Sequence, residues 1–331
     1  MMVQLTRLLL GLLVLATTAS AQIIFDTDSG AFADDGAALT MLLRSPRRKD
    51  VQGITVVSGN VWARAGAGYM SRNVRLLGLP KLPVLIGTEE PLVHTVAMGE
   101  KEKPLETDGA FSQPLPTEHA PHGGIDYIIR SIDAAPGKIT ILAIGPLTNI
   151  AVALRMRPDI ARKIAGIVIM GGNVHVPGNA SKAAEFNFWF DPEAAQVVLR
   201  SEIPNKVLFA LDVCNNTQFT RQIFDKVVAV KTPITALYRE EFGNGYPGFL
   251  KNPNVQGYLW DELAATYLID QALTTRTETL YLDVDSTFGS SYGAVKPLDR
   301  DLAPSATPVR VVLDMDFPRV YDLYIRALTA Q

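Results

Sequence analysis

The chain has 331 residues, a net charge of −3 and a single cysteine, Cys214. A chain without a basic excess is a poor match for nucleic acid or an anionic membrane surface, so we expect neither as a partner. One cysteine permits no internal disulfide, and the length is enough for a large core in a single α/β domain.

The first 21 residues have the pattern of a secretory signal peptide. Arg7 precedes an apolar run at residues 8–16, and residues 19–21 form an A-x-A cleavage motif. A membrane span needs about 20 apolar residues, so this run is too short to be one. We therefore predict export to a periplasm or out of the cell, with residues 22–331 as the mature domain and no membrane segment after cleavage.

Four aspartates lie in the loop between the first predicted strand, residues 23–25, and the first predicted helix, which covers residues 37–43. Open α/β sheets place their ligands at the carboxyl ends of strands, and like charges this close repel each other unless a cation binds. Helix capping would use one or two aspartates, whereas Ca²⁺ or Mg²⁺ would use many oxygen ligands. We interpret the loop as a divalent-metal site. Its aspartates are Asp26, Asp28, Asp34 and Asp35.

Apolar strands and helical segments alternate along the rest of the chain. Most of the strands are apolar on both faces, which is typical of a parallel sheet covered by helices on both sides. The predicted fold is therefore a single-domain α/β protein with a mostly parallel, doubly wound, Rossmann-like sheet. Residues 88–123 have no clear period and are long enough to act as a lid, but we assign no role to their histidines. The further strands are predicted at residues 51–57, 83–86, 139–144, 164–170, 207–211 and 309–313.

Polar side chains follow several of these strands. Asn60 comes after the second strand and could be a turn former as readily as a site residue. Glu185 and Asn187 alternate with aromatic residues, so as a strand they would share one polar face, and Asn179 precedes them. Amide and carboxylate groups beside a metal suit a sugar, whereas a phosphate would require a glycine-rich nest or a cluster of basic side chains.

Six motifs and a late aspartate, Asp261, together resemble the nucleoside hydrolase family, the inosine-uridine preferring nucleoside N-ribohydrolases. The resemblance covers nearly all of the mature chain and implies hydrolysis of the N-glycosidic bond of ribonucleosides to ribose and free base. The motifs, in chain order, are DTDSG followed by DD, TVVSGN ending at Asn60, GPLTNIA from Gly145, MGG from Met170, GNASKAAEFN from Gly178 and DPEAA from Asp191.

The resemblance also implies roles for individual residues. It places Ca²⁺ on Asp28, Asp35, Asp261 and the backbone carbonyl of Ile144, with Asp28 as the general base. We also expect a homo-oligomer, either a dimer or a tetramer. The residues that the resemblance assigns to the ribose are Asp34, Asn60, Asn179, Glu185 and Asn187.

Trp260 marks a departure from the best-known branch of the family, in which a histidine at this position is a candidate proton donor. An aromatic residue here resembles the purine-preferring branch, so we expect purine nucleosides to be slightly favoured, although a tryptophan of the core would look the same in the sequence. The aspartate loop is also two residues longer than the commonest form and has Ser29 where proline is frequent.

Two other functions fit parts of the sequence. A haloacid-dehalogenase-type phosphatase also begins with two spaced aspartates after a strand, but its fifth motif position should be Thr or Val, whereas this chain has Gly30. The second alternative is an exported nucleoside- or sugar-binding protein without turnover, which the retention of Asp28 and the other metal positions disfavours.

Overall fold

The computed structural model describes residues 22–93, 117–242 and 257–331. The predicted signal peptide lies outside these ranges, and so do His94 and the central part of the predicted lid. The signal peptide and the lid therefore remain predictions. His119 and His122 are described and exposed. None of the helices in the three ranges is long and apolar enough to cross a bilayer.

The protein is built around an eight-stranded sheet with the order β3-β2-β1-β4-β5-β6-β10-β7. All neighbouring strands are parallel except β7, which is antiparallel to β10 at one edge. β8 and β9 form a separate antiparallel pair. The strands are β1 (Gln22–Thr27), β2 (Val51–Val56), β3 (Val84–Ile86), β4 (Ile139–Ala143), β5 (Gly166–Met170), β6 (Lys206–Phe209), β7 (Thr274–Leu280), β8 (Leu282–Val284), β9 (Val295–Pro297) and β10 (Val309–Met315).

Helices cover both faces of the sheet, which confirms the predicted fold class. In β1, Ile23 and Phe25 face a core shared with α1, α2, α10 and α11, whereas Ile24 faces a core shared with α3, α4 and α6. The helices are α1 (Ala33–Leu43), α2 (Ala63–Leu76), α3 (Gly124–Ala134), α4 (Thr148–Met156), α5 (Phe186–Phe190), α6 (Pro192–Arg200), α7 (Leu211–Cys214), α8 (Arg221–Val228), α9 (Pro233–Glu240), α10 (Asp261–Ile269) and α11 (Phe317–Thr329).

The connection between strands changes direction at the centre of the sheet. The chain runs outward from β1 through β2 to β3, and then returns through α3 to β4 on the other side of β1. At such a switch point the two connections diverge and leave a crevice at the carboxyl ends of the strands. The aspartate loop follows β1 directly, so the fold places this loop at the crevice.

Two buried helices bring together acidic residues from the two ends of the chain. α1 and α10 pack against each other. Nearly every residue of each helix is buried, which their largely apolar sequences explain. Asp34 and Asp35 lie in the first turn of α1, and Asp261 is the first residue of α10. The positive ends of both helix dipoles therefore favour these carboxylates in their ionised form.

The structure corrects the strand that alternation predicted around Glu185. This segment forms the short helix α5, and the Glu185 carboxylate caps it by accepting the backbone N–H groups of Asn187 and Phe188. The capping bonds favour a helical turn over an extended strand. β7 could not be predicted in the same way, because this edge strand is polar and largely exposed and so has no apolar pattern.

Candidate active site

A pocket of 200 Å³ opens at the carboxyl edge of the sheet, beside the ends of β1, β2, β4 and β5. A larger cavity of 590 Å³ lies near the amino ends of β4, β5 and β6, but its lining includes none of the clustered carboxylates. Chemistry rather than size therefore identifies the smaller pocket as the candidate site. It is lined by Asp34, Asn60, Ile144, Met170, Asn179, Glu185, Phe186, Asn187, Trp260 and Asp261.

Three carboxylates converge at the amino-terminal ends of α1 and α10. Oxygen atoms of Asp34, Asp35 and Asp261 lie within 4.8 Å of one another. Burial raises the pKa of Asp34 to about 6. Burial and the neighbouring negative charges hold the pKa values of Asp35 and Asp261 well above the usual range. A cation would relieve this repulsion, and the all-oxygen donor set is the one that hard divalent ions prefer.

The hydrogen bonds of Asp35 leave one oxygen available to a cation. The Thr27 hydroxyl donates to Oδ1 of Asp35, and Oδ2 is buried with no hydrogen-bond partner within the described ranges. A buried carboxylate oxygen without a donor is costly unless a cation or water satisfies it. The carboxylates of this cluster therefore fit a resident divalent metal.

Asp28 lies beside this cluster but is not one of its three members. Its side chain is 1% exposed, and Oδ2 accepts the backbone N–H of Asn60 at 2.7 Å. Gly59 and Gly145 leave room for it, because a Cβ on either residue would collide with the Asp28 side chain. Burial, together with the negative charge of Asp34, raises the pKa of Asp28 to about 8. The negative charge of Asp28 in turn raises the pKa of Asp35 and of Asp261.

Asp26 is a buried support behind the loop. Its Oδ2 accepts the Thr55 hydroxyl at 2.5 Å and Nδ2 of Asn149 at 2.7 Å. The amide oxygen of Asn149 accepts the backbone N–H of Thr88 at 2.8 Å, so one side chain joins β1 to the segment after β3. Burial raises the pKa of Asp26 to about 7 even though both hydrogen bonds lower it.

The Ile144 carbonyl, expected from the family resemblance to be a metal ligand, lies at the pocket but already has a partner. Nδ2 of Asn187 donates to it at 3.0 Å and to the Met170 carbonyl at 3.2 Å. A carbonyl oxygen has two lone pairs, so the Ile144 oxygen can still accept a second partner. The amide group of Asn187 thus ties α5 to the ends of β4 and β5.

Glu185 and Asn179 shape the wall of the pocket through backbone contacts. The Glu185 carboxylate accepts N–H groups of Gly172 at 2.7 Å and Asn187 at 2.9 Å, and burial raises its pKa to about 7. Asn179 is exposed, and its side-chain oxygen accepts the Phe186 N–H at 2.9 Å. Both side chains reach the pocket, but their oxygens also hold α5 in place.

Trp260 lines the pocket at the start of α10, directly before Asp261. Its indole ring is partly buried, packs against the core and lies 5.9 Å from the Tyr258 ring, centroid to centroid. Trp260 is therefore both a pocket residue and a core contact.

Several residues of the site have roles that the sequence analysis did not assign. Glu262 is 2% exposed, and its Oε2 accepts the backbone N–H of Trp260 at 3.0 Å. The adjacent acidic pair at 261–262 was the available signal for it. Thr55 and Asn149, which hold Asp26, occur in or beside motifs of the family resemblance, but nothing in the sequence indicates which side chains they contact. Met170 and Phe186 also line the pocket.

Known proteins match this chain over nearly its whole length. A family model described as inosine-uridine preferring nucleoside hydrolase matches residues 23–322. The pyrimidine-specific ribonucleoside hydrolase RihB of Escherichia coli (strain SE11) is 31% identical over 300 residues, which are 89% of this chain and 94% of RihB.

Solved structures give the same result. A plant nucleoside hydrolase, PpNRh1, superposes with a TM-score of 0.79 over 94% of this chain and 99% of its own, and at 24% identity it supports the fold alone. The purine-preferring ribonucleoside hydrolase from Gardnerella vaginalis has a TM-score of 0.77 and 25% identity over 93% of this chain and 98% of its own.

Fold and site together are those of a metal-dependent enzyme that acts on nucleosides. The chain belongs to the inosine-uridine preferring nucleoside hydrolase family, whose members hydrolyse the N-glycosidic bonds of ribonucleosides.

Proposed function

We propose that this protein is an exported, calcium-dependent ribonucleoside hydrolase that releases ribose and free base and slightly favours purine nucleosides. The observation that carries the proposal is the convergence of Asp34, Asp35 and Asp261 within 4.8 Å, at a pocket lined by amide and carboxylate side chains. Calcium is the preferred cation because it accepts six to eight oxygen ligands in irregular geometry, whereas Mg²⁺ requires a near-ideal octahedron.

Asp28, Asp35, Asp261 and the Ile144 carbonyl would hold the ion. When bound, the ion supplies orientation for ribose hydroxyls and a water, and it lowers the pKa of that water. Asp34 and Asn60 line the pocket beside it and are the proposed partners of the ribose hydroxyls. Asn179, Glu185 and Asn187 also line the pocket and would contact the rest of the sugar.

Asp28 is the proposed general base. Its Oδ2 is held by the Asn60 N–H, which fixes the direction of the carboxylate. Attack at the anomeric carbon passes through an oxocarbenium-like transition state, as in other glycoside hydrolysis. The oxygens of Asp34, Glu185 and Asn187 around the pocket can stabilise the positive charge that develops on the sugar.

Trp260 supports a preference for purines. A purine offers a larger ring than a pyrimidine for stacking on indole, and stacking supplies affinity without a specific hydrogen bond. Indole is not a useful acid near neutral pH, so Trp260 would bind the base rather than donate a proton to it. Pyrimidine preference is the second candidate, since RihB, at 31% identity, is described as pyrimidine-specific.

Export and oligomer formation are separate parts of the proposal. The apolar run and cleavage motif in residues 1–21 support secretion of a protein that begins at Gln22. Amino-terminal sequencing of the protein recovered outside the cytoplasm tests the cleavage site. Sedimentation analysis of the mature protein tests the expected dimer or tetramer, and a monomer at micromolar concentration would contradict it.

The activity is tested by incubating purified protein with inosine, guanosine, uridine and cytidine and measuring the released reducing sugar. We expect turnover that is lost with a calcium chelator and restored by Ca²⁺ better than by Mg²⁺, with a somewhat higher kcat/KM for the purine nucleosides. Nucleoside binding without sugar release would favour a binding protein. Release of phosphate from a phosphate ester, without sugar release, would favour the phosphatase.

A further inference from the structure

Side chains of α2 hold the backbone of the aspartate loop at Ala31. The carbonyl oxygen of Ala31 accepts Nη2 of Arg72 at 2.7 Å and Nδ2 of Asn73 at 3.3 Å. Ala31 is 2% exposed and Asn73 is 1% exposed, so the Asn73 hydrogen bond is shielded from water, whereas the Arg72 hydrogen bond is partly buried. Hydrogen bonds in such surroundings are difficult to replace when a donor is removed.

The same helix approaches the loop closely almost two turns earlier. A Cβ at Gly66 would lie 2.9 Å from the backbone oxygen of Ser29, so this position requires a residue without a side chain. Ala31 also packs in a small apolar cluster with Ala65 and Tyr69 of α2. α2 therefore contacts the loop at both Ser29 and Ala31.

The held segment leads into a backbone conformation that alanine seldom adopts. Ala33 has a φ of +44°, in the left-handed region, and it directly precedes Asp34 and Asp35. Such a residue persists only when its surroundings hold it there. Phe32, which lies between Ala31 and Ala33, is fully buried, and its ring meets the Tyr238 ring edge-on at 6.1 Å between centroids. The loop is thus fixed at Ala31 and Phe32, immediately before the strained residue.

We propose that Arg72 and Asn73 are positioning residues for the metal site. Through the Ala31 carbonyl they keep Ala33 in its left-handed conformation and thereby hold Asp34 and Asp35 where a cation and a ribose can bind. The inference rests on the proposed function, since it concerns the affinity for calcium and for the sugar.

Arg72 is the member of the pair that is best suited to a test. Its guanidinium lies 5.3 Å above the Tyr69 ring, and its Nε has no hydrogen-bond partner in the part of the chain that is described. Arg72→Met keeps an apolar stem over the ring and removes the donor to Ala31. Arg75→Met is the matched control, because Arg75 is on the same helix, mostly exposed and paired with Glu118.

The experiment measures calcium affinity by calorimetry and amide hydrogen exchange of residues 29–36 in the calcium-free protein. Arg72→Met is expected to weaken calcium binding by about 10- to 100-fold, the usual effect of losing a support behind a metal ligand. Exchange in the loop should become faster. At saturating calcium the KM for inosine should rise more than kcat falls, because Asp28 is held separately by Asn60. Arg75→Met should match the wild type in all of these measurements.

A second substitution separates positioning from general destabilisation. Ala33→Gly removes the steric penalty of the left-handed conformation, so adding it to Arg72→Met should restore part of the calcium affinity. If Arg72→Met does not fold, Arg72→Lys replaces it, and its single ammonium group should weaken calcium binding by several-fold. Wild-type affinity and unchanged loop exchange in either folded variant would overturn the inference. Absence of calcium binding by the wild type would instead contradict the proposed function, whereas the exchange measurement would still test the support of the loop.

Discussion

The backbone N–H of Asn60 donates a 2.7 Å hydrogen bond to Oδ2 of Asp28 and so joins the carboxyl ends of two neighbouring parallel strands. Because β1 and β2 are paired in register, the peptide after one strand can orient the side chain after the other. The carboxylate proposed as the base is therefore directed by the sheet, while Asp34 and Asp35 depend on the loop that follows. This division allows a change in the Asp28 carboxylate to be distinguished by mutation from a displacement of the loop that bears Asp34 and Asp35.

Asp28→Asn is expected to lower kcat by about 10²- to 10⁴-fold, the usual contribution of a positioned general base. The amide is nearly the same size, and its oxygen can still accept the Asn60 N–H, so the melting temperature should change little. Steady-state hydrolysis of inosine at saturating calcium measures the effect. Asp301→Asn, at an exposed position, is the control. A near-normal kcat in Asp28→Asn would exclude Asp28 as the base.

Gly59→Ala should impair catalysis although it removes no polar group. A Cβ at this position would collide with the Asp28 carboxylate and displace it. Misplacement of a catalytic group by about 1 Å can cost on the order of 100-fold in rate, so we expect a loss of this size in kcat. Gly257→Ala is the matched control, because its Cβ would meet Phe219 at an ordinary contact distance of 3.6 Å. Equal activity of the two variants would contradict the close packing at Asp28.

Some parts of this site could be predicted from the sequence and others could not. The aspartates of the first loop are close in the chain, so their clustering was visible directly. Asp261 could be assigned only through the family resemblance, because its proximity to Asp34 depends on the packing of α1 against α10. Polar alternation over four residues suggested a strand at Glu185, but such a short pattern does not distinguish a strand from a helical turn capped by a carboxylate.

The supports behind the site were the least predictable features. Thr55 holds Asp26 from β2 and Asn149 holds it from α4, while Arg72 holds Ala31 from α2. Buried hydrogen bonds of this kind are formed between segments far apart in the chain, so local sequence patterns do not indicate them. Core strands such as β4 were predictable because their apolar residues are buried on both faces, whereas the polar edge strand β7 had no comparable signal.

Trp260→Ala is expected to reduce kcat/KM for inosine more than for uridine. Loss of stacking on a base costs about 1–3 kcal/mol, which corresponds to roughly 5- to 150-fold, and the larger purine ring loses more contact. Trp260→Phe keeps an aromatic face and should retain much of the activity on inosine. Parallel measurements of kcat/KM on both nucleosides provide the comparison. Equal losses on inosine and uridine would argue against stacking and in favour of a purely structural tryptophan.

Calcium should stabilise the fold more strongly at pH 8 than at pH 5. Without a cation, burial raises the pKa of Asp34 to about 6 and that of Asp28 to about 8, both above the unfolded value of about 3.9. Between about pH 4 and about pH 8 the folded state therefore binds more protons than the unfolded state. Its free energy of unfolding falls as the pH rises from about 4 to about 8. Calcium binds the ionised carboxylates and removes this loss, and its own affinity increases as they deprotonate.

The measurement is the melting temperature with calcium chloride and with potassium chloride at matched ionic strength, at both pH values. The increase caused by calcium should be larger at pH 8 by roughly 5 °C or more, since each pKa unit corresponds to about 1.4 kcal/mol. Asp261→Asn removes a proposed ligand and one of the crowded charges, so it should raise the melting temperature of the calcium-free protein at pH 8 and reduce the effect of calcium. An equal effect of calcium at the two pH values would show that these carboxylates do not form the metal site.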